Sequence, residues 1–137
     1  MTLDAIRAQV MFQTNNDRED LPDFEPHLLD YINEGYDLLV LNFTGEHVRT
    51  DSDDYPPLGV EHIGADGEPY VPITPNLPEY AHRALADYAT YMVYRNGNAV
   101  KQNRGMAFYS AFLQVASQLK FERGGVTKRQ FIDIFTR

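Results

Sequence analysis

Two adjacent helical patterns between residues 78 and 120 constrain the fold of this chain more than any other stretch. In the first, apolar residues recur every three or four positions, which places them on one helical face: Ala81, Ala84, Leu85, Tyr88, Tyr91 and Met92. Asn76 is the expected N-cap of this helix, and Gly97 is expected to close it in the left-handed conformation. The sequence therefore predicts a pair of helices joined at residues 96–98.

The second helix of the pair is predicted to begin at Asn98, a suitable N-cap, and to end near Lys120. One face of it carries Phe108, Ala111, Phe112, Val115 and Leu119. A neighbouring strip makes the apolar sector wider than one helix partner needs, so another helix or a neighbouring subunit is expected to cover Tyr109, Leu113 and Ala116. Inside a helix, glycine lowers the free energy of unfolding by about 1 kcal/mol relative to alanine. Gly105 therefore indicates either a close backbone crossing or a tolerated surface position.

The N-terminal part of the sequence predicts two more helices. The first begins at Thr2 or Leu3 and ends at Phe12, and the polar residues after it are expected to form a loop. The second begins near Asp23 or Pro26 and has the clearest helical periodicity in the chain, at Leu28, Leu29, Ile32, Tyr36, Leu39, Val40 and Phe43. The predicted fold is therefore mainly α, a small four-helix bundle.

Between the second and third helices lies a long acidic, proline-rich loop, residues 44–75. It contains five prolines and only one Lys or Arg. Because long structureless loops are uncommon in compact domains, the loop is expected to be functional, to form an interface, or to pair as a hairpin of residues 60–63 and 70–73. Its seven carboxylates are Glu46, Asp51, Asp53, Asp54, Glu61, Asp66 and Glu68.

Residues 121–137, called the arm below, differ in character from the helical domain of residues 1–120. The glycines at 124 and 125 break the helix, and Thr127 with Gln130 forms a capping-box pattern that opens a last short helix. The arm is either a docking segment or a terminal helix packed on its own core. Its basic and apolar residues are Phe121, Arg123, Lys128, Arg129, Phe131, Ile134, Phe135 and Arg137.

The formal net charge of −8 is divided unevenly along the chain. Residues 1–79 hold 17 Asp and Glu against 3 Lys and Arg, a net of −14, whereas residues 80–137 hold 3 against 9, a net of +6. The two halves can fold back on each other within one chain or pack between identical copies, and we predict that they meet between neighbouring copies. A negative chain does not suit a protein that binds nucleic acid by neutralising its phosphates.

The remaining composition excludes several classes of site. The sequence has no cysteine, which excludes disulfides, thiolate zinc sites and cysteine nucleophiles. Neither a membrane span nor a signal peptide is predicted, and the expected compartment is the cytoplasm or an assembly built there. No phosphate-binding, dinucleotide or nucleophile-elbow motif is present, so no catalytic residue and no cofactor are predicted.

One pair of residues has the spacing of metal ligands. Glu79 and His82 match the Glu-x-x-His pattern of di-iron helical bundles, but such sites need the motif twice and two further carboxylates. Glu79 is also expected to cap the third helix. Asp51, Asp53 and Asp54 lack the spacing of a calcium loop. No metal site is therefore predicted, and His27 and His62 have no partner at a spacing that indicates acid–base chemistry.

Several stretches resemble the head–tail connector proteins of tailed bacteriophages, also called adaptor or head-completion proteins. The similar stretches lie within residues 1–120: the opening helix to Thr14, LLDYINEGYDLLV from Leu28, and PEYAHRALADYATYMVYR leading into NRGMAFYSAFLQVASQLK. The most specific parts are the run from Ile32 to Tyr36 and the segment from Ala84 to Tyr88, which is followed by a helix carrying Phe108 and Tyr109.

The resemblance implies a structural virion protein that is not an enzyme. Such proteins form a ring, typically of twelve copies, between the portal protein and the tail or stopper protein, and DNA passes through without specific binding. The resemblance implies that the arm contacts the portal, through residues such as Lys128 and Phe131, and that the acidic loop faces the lumen or the tail. The expected location is the neck of the virion, after assembly in the host cytoplasm.

Three other functions fit the same sequence less well. One is a tail-completion protein, another structural component of the virion. The second is a helical metal-dependent enzyme that uses Glu79 and His82. The third is a small regulatory domain that binds a partner through Phe131 and Phe135.

Overall fold

The computed structural model describes residues 1–45 and 53–123, and this part of the chain is mainly helical, as predicted. The four helices are α1 (Leu3–Thr14), α2 (Glu25–Thr44), α3 (His82–Arg95) and α4 (Ala99–Arg123). Between α2 and α3 the chain forms two short antiparallel strands, β1 (His62–Ile63) and β2 (Pro69–Tyr70). None of these helices is long and apolar enough to cross a membrane.

Helix α3 is the centre of the bundle, because it packs against each of the other three helices. Its small buried residues, such as Ala84 and Ala89, allow the close approach of these neighbours. Two of its tyrosines lie against glycines. A β-carbon added to Gly35 of α2 would lie 2.9 Å from Tyr88 Cδ1, and one added to Gly105 of α4 would lie 2.8 Å from Tyr94 Cβ. Gly105 therefore marks a close helix crossing, one of its two predicted interpretations.

The hydroxyl groups of the same two tyrosines bind carboxylates. Tyr88 donates to Glu34 at 2.6 Å, and Tyr94 donates to Asp17 at 2.6 Å. Asp17 lies in the 3-10 helix Asn15–Asp20, and only 7% of it is exposed. It also forms ion pairs with Lys101 and Arg104 of α4. These contacts satisfy a buried charge and bring the acidic and basic halves of the sequence together within one chain.

The pKa of the Asp17 carboxyl is held far below its usual range. The main causes are the hydrogen bonds from Lys101 and Tyr94, and they outweigh the opposing effect of burial. Asp20 lies 3.6 Å from Lys101 but has a largely exposed side chain. Asp17 is therefore the carboxylate that connects the N-terminal region to α3 and α4.

The first helix ends later than predicted. Helix α1 continues to Thr14, whose hydroxyl donates to Val10 O at 2.9 Å, and the polar residues after it form a 3-10 helix instead of a loop. Helix α2 has Pro26 in its first turn, as predicted, and Gly45 closes it with φ of 80°. The cap predicted for α4 is confirmed, because Asn98 Oδ1 accepts from Lys101 N at 3.0 Å.

The predicted N-cap of α3 is wrong. Asn76 donates its backbone N–H to Tyr36 Oη and its side-chain amide to Asp54 O, both at 2.8 Å. Helix α3 instead begins at His82, after the 3-10 turn Glu79–Ala81. Long-range hydrogen bonds have replaced the local cap that the sequence suggested.

The conformation predicted for Gly97 is also wrong. The described residues with positive φ are Gly45, Gly59 and Gly67. Glycine is required at position 97 for a different reason, because a β-carbon there would lie 2.7 Å from Lys101 Cβ. The turn between α3 and α4 therefore needs glycine at position 97 because a side chain there has no room, and not because the backbone is left-handed.

The second apolar strip of α4 is only partly covered. Ala116 is buried, and the ring of Tyr109 stacks on Tyr91 of α3 with centroids 4.4 Å apart. Leu113 is 44% exposed, and Met106, seven residues earlier on the same helical face, is exposed to a similar extent. Within the described residues, α3 thus covers part of the strip and leaves part of it facing outward.

We expect the substitution Asp17→Asn to lower the free energy of unfolding at neutral pH and to weaken its dependence on acid pH. Because folding lowers the pKa of Asp17, its stabilising effect is complete above its unfolded pKa of about 4 and is lost as the pH falls toward the folded value. Urea unfolding of both chains at several pH values measures this.

The matched control is Asp20→Asn, which removes a carboxylate with a 72% exposed side chain beside the same lysine. Exposed pairs contribute little, about 0–1 kcal/mol. Equal effects of the two substitutions would show that the buried ion pairs of Asp17 have no special role in stability.

Candidate interaction surface

The part of the acidic loop that the structure describes is anchored to α2 by one side chain. Asn33 Nδ2 donates to Leu58 O at 3.0 Å, and Leu58 N donates to Asn33 Oδ1 at 2.8 Å. The amide of Asn33 therefore pairs with both backbone groups of Leu58, as a neighbouring strand would. The side chain of Leu58 is fully buried in the core.

A second set of hydrogen bonds fixes the base of the loop. Gly59 N donates to Pro72 O at 2.8 Å, and Leu3 N at the start of α1 donates to Ile73 O at 2.6 Å. Gly59 has φ of 73°, and a β-carbon there would lie 2.9 Å from a methyl group of Leu3. The backbone of the loop is thus attached to both α1 and α2 and does not depend on its own short sheet.

The predicted hairpin is confirmed, but its strands have two residues each. His62 pairs with Tyr70 and Ile63 with Pro69, and Gly67 adopts φ of 81° in the turn between them. The pairing is short because prolines have no N–H to donate, and Pro72 O is used by Gly59.

His62 has a partner that the spacing in the sequence did not indicate. Its Nε2 lies 3.0 Å from Asp53 Oδ1, and its ring meets the ring of Tyr70 edge-on with centroids 5.7 Å apart. Asp53 and Asp54 also line a shallow cavity of about 350 Å³ beside Tyr36. These contacts order the hairpin further.

The hairpin presents a mixed apolar and acidic surface, which we call the hairpin patch. Its apolar members are 44–56% exposed: Val60, Ile63, Tyr70, Val71 and Ile73. Residues 53–77 also contain five carboxylates and no Lys or Arg. Several exposed apolar side chains on one short, ordered segment indicate an interaction site, whereas single exposed ones are not informative.

The loop carboxylates proposed from the sequence fall into two groups. Five lie on the exposed surface of the hairpin segment: Asp53, Asp54, Glu61, Asp66 and Glu68. Glu46 and Asp51 lie outside the described residues. The sequence analysis identified the charged residues of this segment and missed the exposed apolar side chains among them. A signal was present, because residues 60–73 contain several apolar residues, and the prolines among them prevent longer paired strands.

The arm is described only where it continues α4. Phe121 is half-buried, and Arg123 is the last residue of the helix, so α4 is longer than predicted. The carboxylate of Glu122 lies close to the hydroxyl of Tyr80, and burial together with this neighbouring charge raises the pKa of Tyr80. The other proposed arm residues lie outside the described residues: Lys128, Arg129, Phe131, Ile134, Phe135 and Arg137.

The Glu-x-x-His pair is occupied by contacts within the chain. The α-amino group of Met1 donates to Glu79 at 3.0 Å and lies 2.8 Å from His82 Nδ1, while His82 Nε2 lies 2.9 Å from Leu77 O. The hydrogen bond from the amino group is the main reason that the pKa of Glu79 is lowered. Across residues 1–45 and 53–123, no three His, Cys, Asp or Glu side chains converge as a metal site requires.

Comparisons with protein-family models, with curated proteins and with solved structures found no match for this chain. The functional proposal below therefore depends on the hairpin patch and on the sequence resemblance.

We expect Asn33→Ala to loosen the hairpin selectively. The substitution leaves two backbone groups of Leu58 without partners, which costs about 1–3 kcal/mol when such groups are buried. Amide hydrogen exchange at Leu58 and Gly59 should accelerate, whereas exchange in the centre of α3 should change less. The control is Asn42→Ala on the same helix, because among the described residues the side chain of Asn42 bonds its own helix, at Leu38 O. Equal acceleration in both variants would contradict the proposed anchor.

Proposed function

We propose that this chain is a structural subunit of the head–tail connector of a tailed bacteriophage and that it acts by assembly rather than by catalysis. In this proposal, copies of the chain form a ring, expected to be a dodecamer, between the portal protein and the tail or stopper protein. The observation that carries the proposal is the hairpin patch, an ordered surface that combines exposed apolar side chains with carboxylates.

The anchoring of the patch supports a role in binding another protein. Ordering a loop during association costs conformational entropy, which reduces affinity. Here the backbone is already held by hydrogen bonds to Asn33 and Leu3 on two different helices. A partner therefore meets a surface whose shape is set in advance. In a connector this partner would be the tail or stopper protein.

The charge of the patch suits a position beside a DNA channel. Five carboxylates without a Lys or Arg give the segment a negative potential, which opposes adhesion of the phosphate backbone. In this proposal DNA passes through the ring without specific binding. The carboxylates, such as Glu61 and Glu68, face the lumen or the tail.

The arm is proposed to contact the portal protein. Its portal-binding residues would be Lys128, Arg129, Phe131, Phe135 and Arg137, assigned by position and residue type. Because α4 continues to Arg123 and Glu122 lies close to Tyr80, the part of the arm through Arg123 belongs to the bundle. The portal-binding part of the arm in this proposal is therefore residues 124–137.

We expect truncation after Arg123 to leave the bundle folded and to abolish binding to the portal protein of the same phage. The truncation keeps the Tyr80–Glu122 contact, whereas truncation after Lys120 removes it and is expected to lower the unfolding temperature as well. Negative-stain imaging and particle mass of each chain mixed with the portal measure the assembly. Circular dichroism checks the fold.

The full-length chain is expected to form rings stacked on the portal. A matched control, Phe131→Ala with Phe135→Ala, keeps the length and charge of the arm and should reduce binding. If the chain truncated after Arg123 assembles on the portal as the full-length chain does, the assignment of the arm is wrong. If the full-length chain does not associate with the portal, the connector proposal is wrong.

A further inference from the structure

The C-terminal end of α4 lies close to the base of the hairpin. The carboxylate of Glu122 lies close to the hydroxyl of Tyr80, just before α3. The first residues of the chain connect this region to the hairpin, because the amino group of Met1 bonds Glu79 and the N–H of Leu3 bonds Ile73. These contacts connect the end of α4 to the base of the hairpin through the first residues of the chain.

The residues after α4 complement the hairpin patch in charge and in apolar content. Residues 124–137 contain three Lys or Arg against one Asp, whereas residues 53–77 contain five carboxylates and no Lys or Arg. The apolar residues of the two segments are also matched in number. Those of the C-terminal segment are Val126, Phe131, Ile132, Ile134 and Phe135. Opposite charges around an apolar centre are the usual composition of a protein interface.

The length of the C-terminal segment allows it to reach the patch of its own chain. Fourteen residues follow Arg123, and fully extended they span about 46–50 Å. A compact domain of this size has a radius of gyration of about 14 Å, so a segment of that length can span the domain and reach the patch. Attachment to the same chain also gives an effective concentration of about millimolar, which favours this contact over the same contact with a second copy.

We propose that residues 124–137 dock on the hairpin patch of their own chain. The cations of the segment lie against the hairpin carboxylates, and its aromatic side chains cover the exposed apolar ones.

The absence of cysteine makes the docking directly testable in the full-length chain. The chain carrying Thr136→Cys is labelled with a nitroxide, and the amide signals of the ¹⁵N-labelled protein are compared before and after reduction of the label. The expected result is loss of the signals of Ile63, Val71 and other patch residues, with recovery at about 0.5 M salt, where the Debye length is about 4 Å. Unchanged patch signals at low salt would overturn the proposal.

Charge reversals identify the contact. Arg129→Glu in the labelled chain should restore the patch signals, and adding Glu61→Lys to that chain should remove them again. The matched control is Arg95→Glu, a reversal of an exposed arginine at the end of α3, which should leave the patch signals broadened. If Arg129→Glu and Arg95→Glu have the same effect on the patch signals, that effect is one of overall charge and the docking contact is not supported.

A mixing experiment separates docking within one chain from docking between copies. A ¹⁵N-labelled chain without the nitroxide is mixed with a nitroxide-labelled ¹⁴N chain. The patch signals of the ¹⁵N-labelled chain should remain. Their loss to the same extent as in the singly labelled chain would place the segment on a second copy and overturn the proposal. The measurements use the isolated protein, so a negative result here leaves the portal proposal standing, and a failure of portal binding leaves the docking result standing.

Discussion

Two tyrosines of α3 hold the bundle together, and each acts in the same two ways. The base of each side chain lies against a glycine of a neighbouring helix, Gly35 for Tyr88 and Gly105 for Tyr94, so that the backbones approach closely. Each hydroxyl then donates to a carboxylate at 2.6 Å. A larger residue in place of either glycine would separate the helices and move the hydroxyl away from its acceptor, so packing and hydrogen bonding depend on each other at both contacts.

The helices were predictable because their signals are local. Apolar residues at helical spacing identified all four helices, and the side chain of Asn98 capped α4 as expected. The run from Ile32 to Tyr36, singled out for its resemblance to connector proteins, contributes to the structure at every position. Ile32 is buried, Gly35 admits Tyr88, and the polar groups of the other three make long-range contacts: Asn33 with Leu58, Glu34 with Tyr88, and Tyr36 with Asn76.

The candidate surface was less predictable because its contacts join residues far apart in the sequence. The residue type and position of Asn76 favour a helix N-cap. Its hydrogen bonds go instead to Tyr36 and to the backbone of Asp54. The loop was recognised by its charge, but nothing local indicates that Asn33 fixes Leu58 from 25 residues away. The exposure of Ile63 and Val71 follows from that anchoring, so it was not predictable without the fold.

The two attachments of the hairpin also determine how it carries mechanical load. Tension applied at the hairpin is divided between the pairing of Leu58 with Asn33 of α2 and the bond of Ile73 with Leu3 of α1, and neither attachment passes through the two-residue sheet. The hairpin is therefore fixed to the bundle at two points. Pulling on it strains α1 and α2 together before its two strands separate. A particle that pulls on this surface would thus load the bundle as a whole.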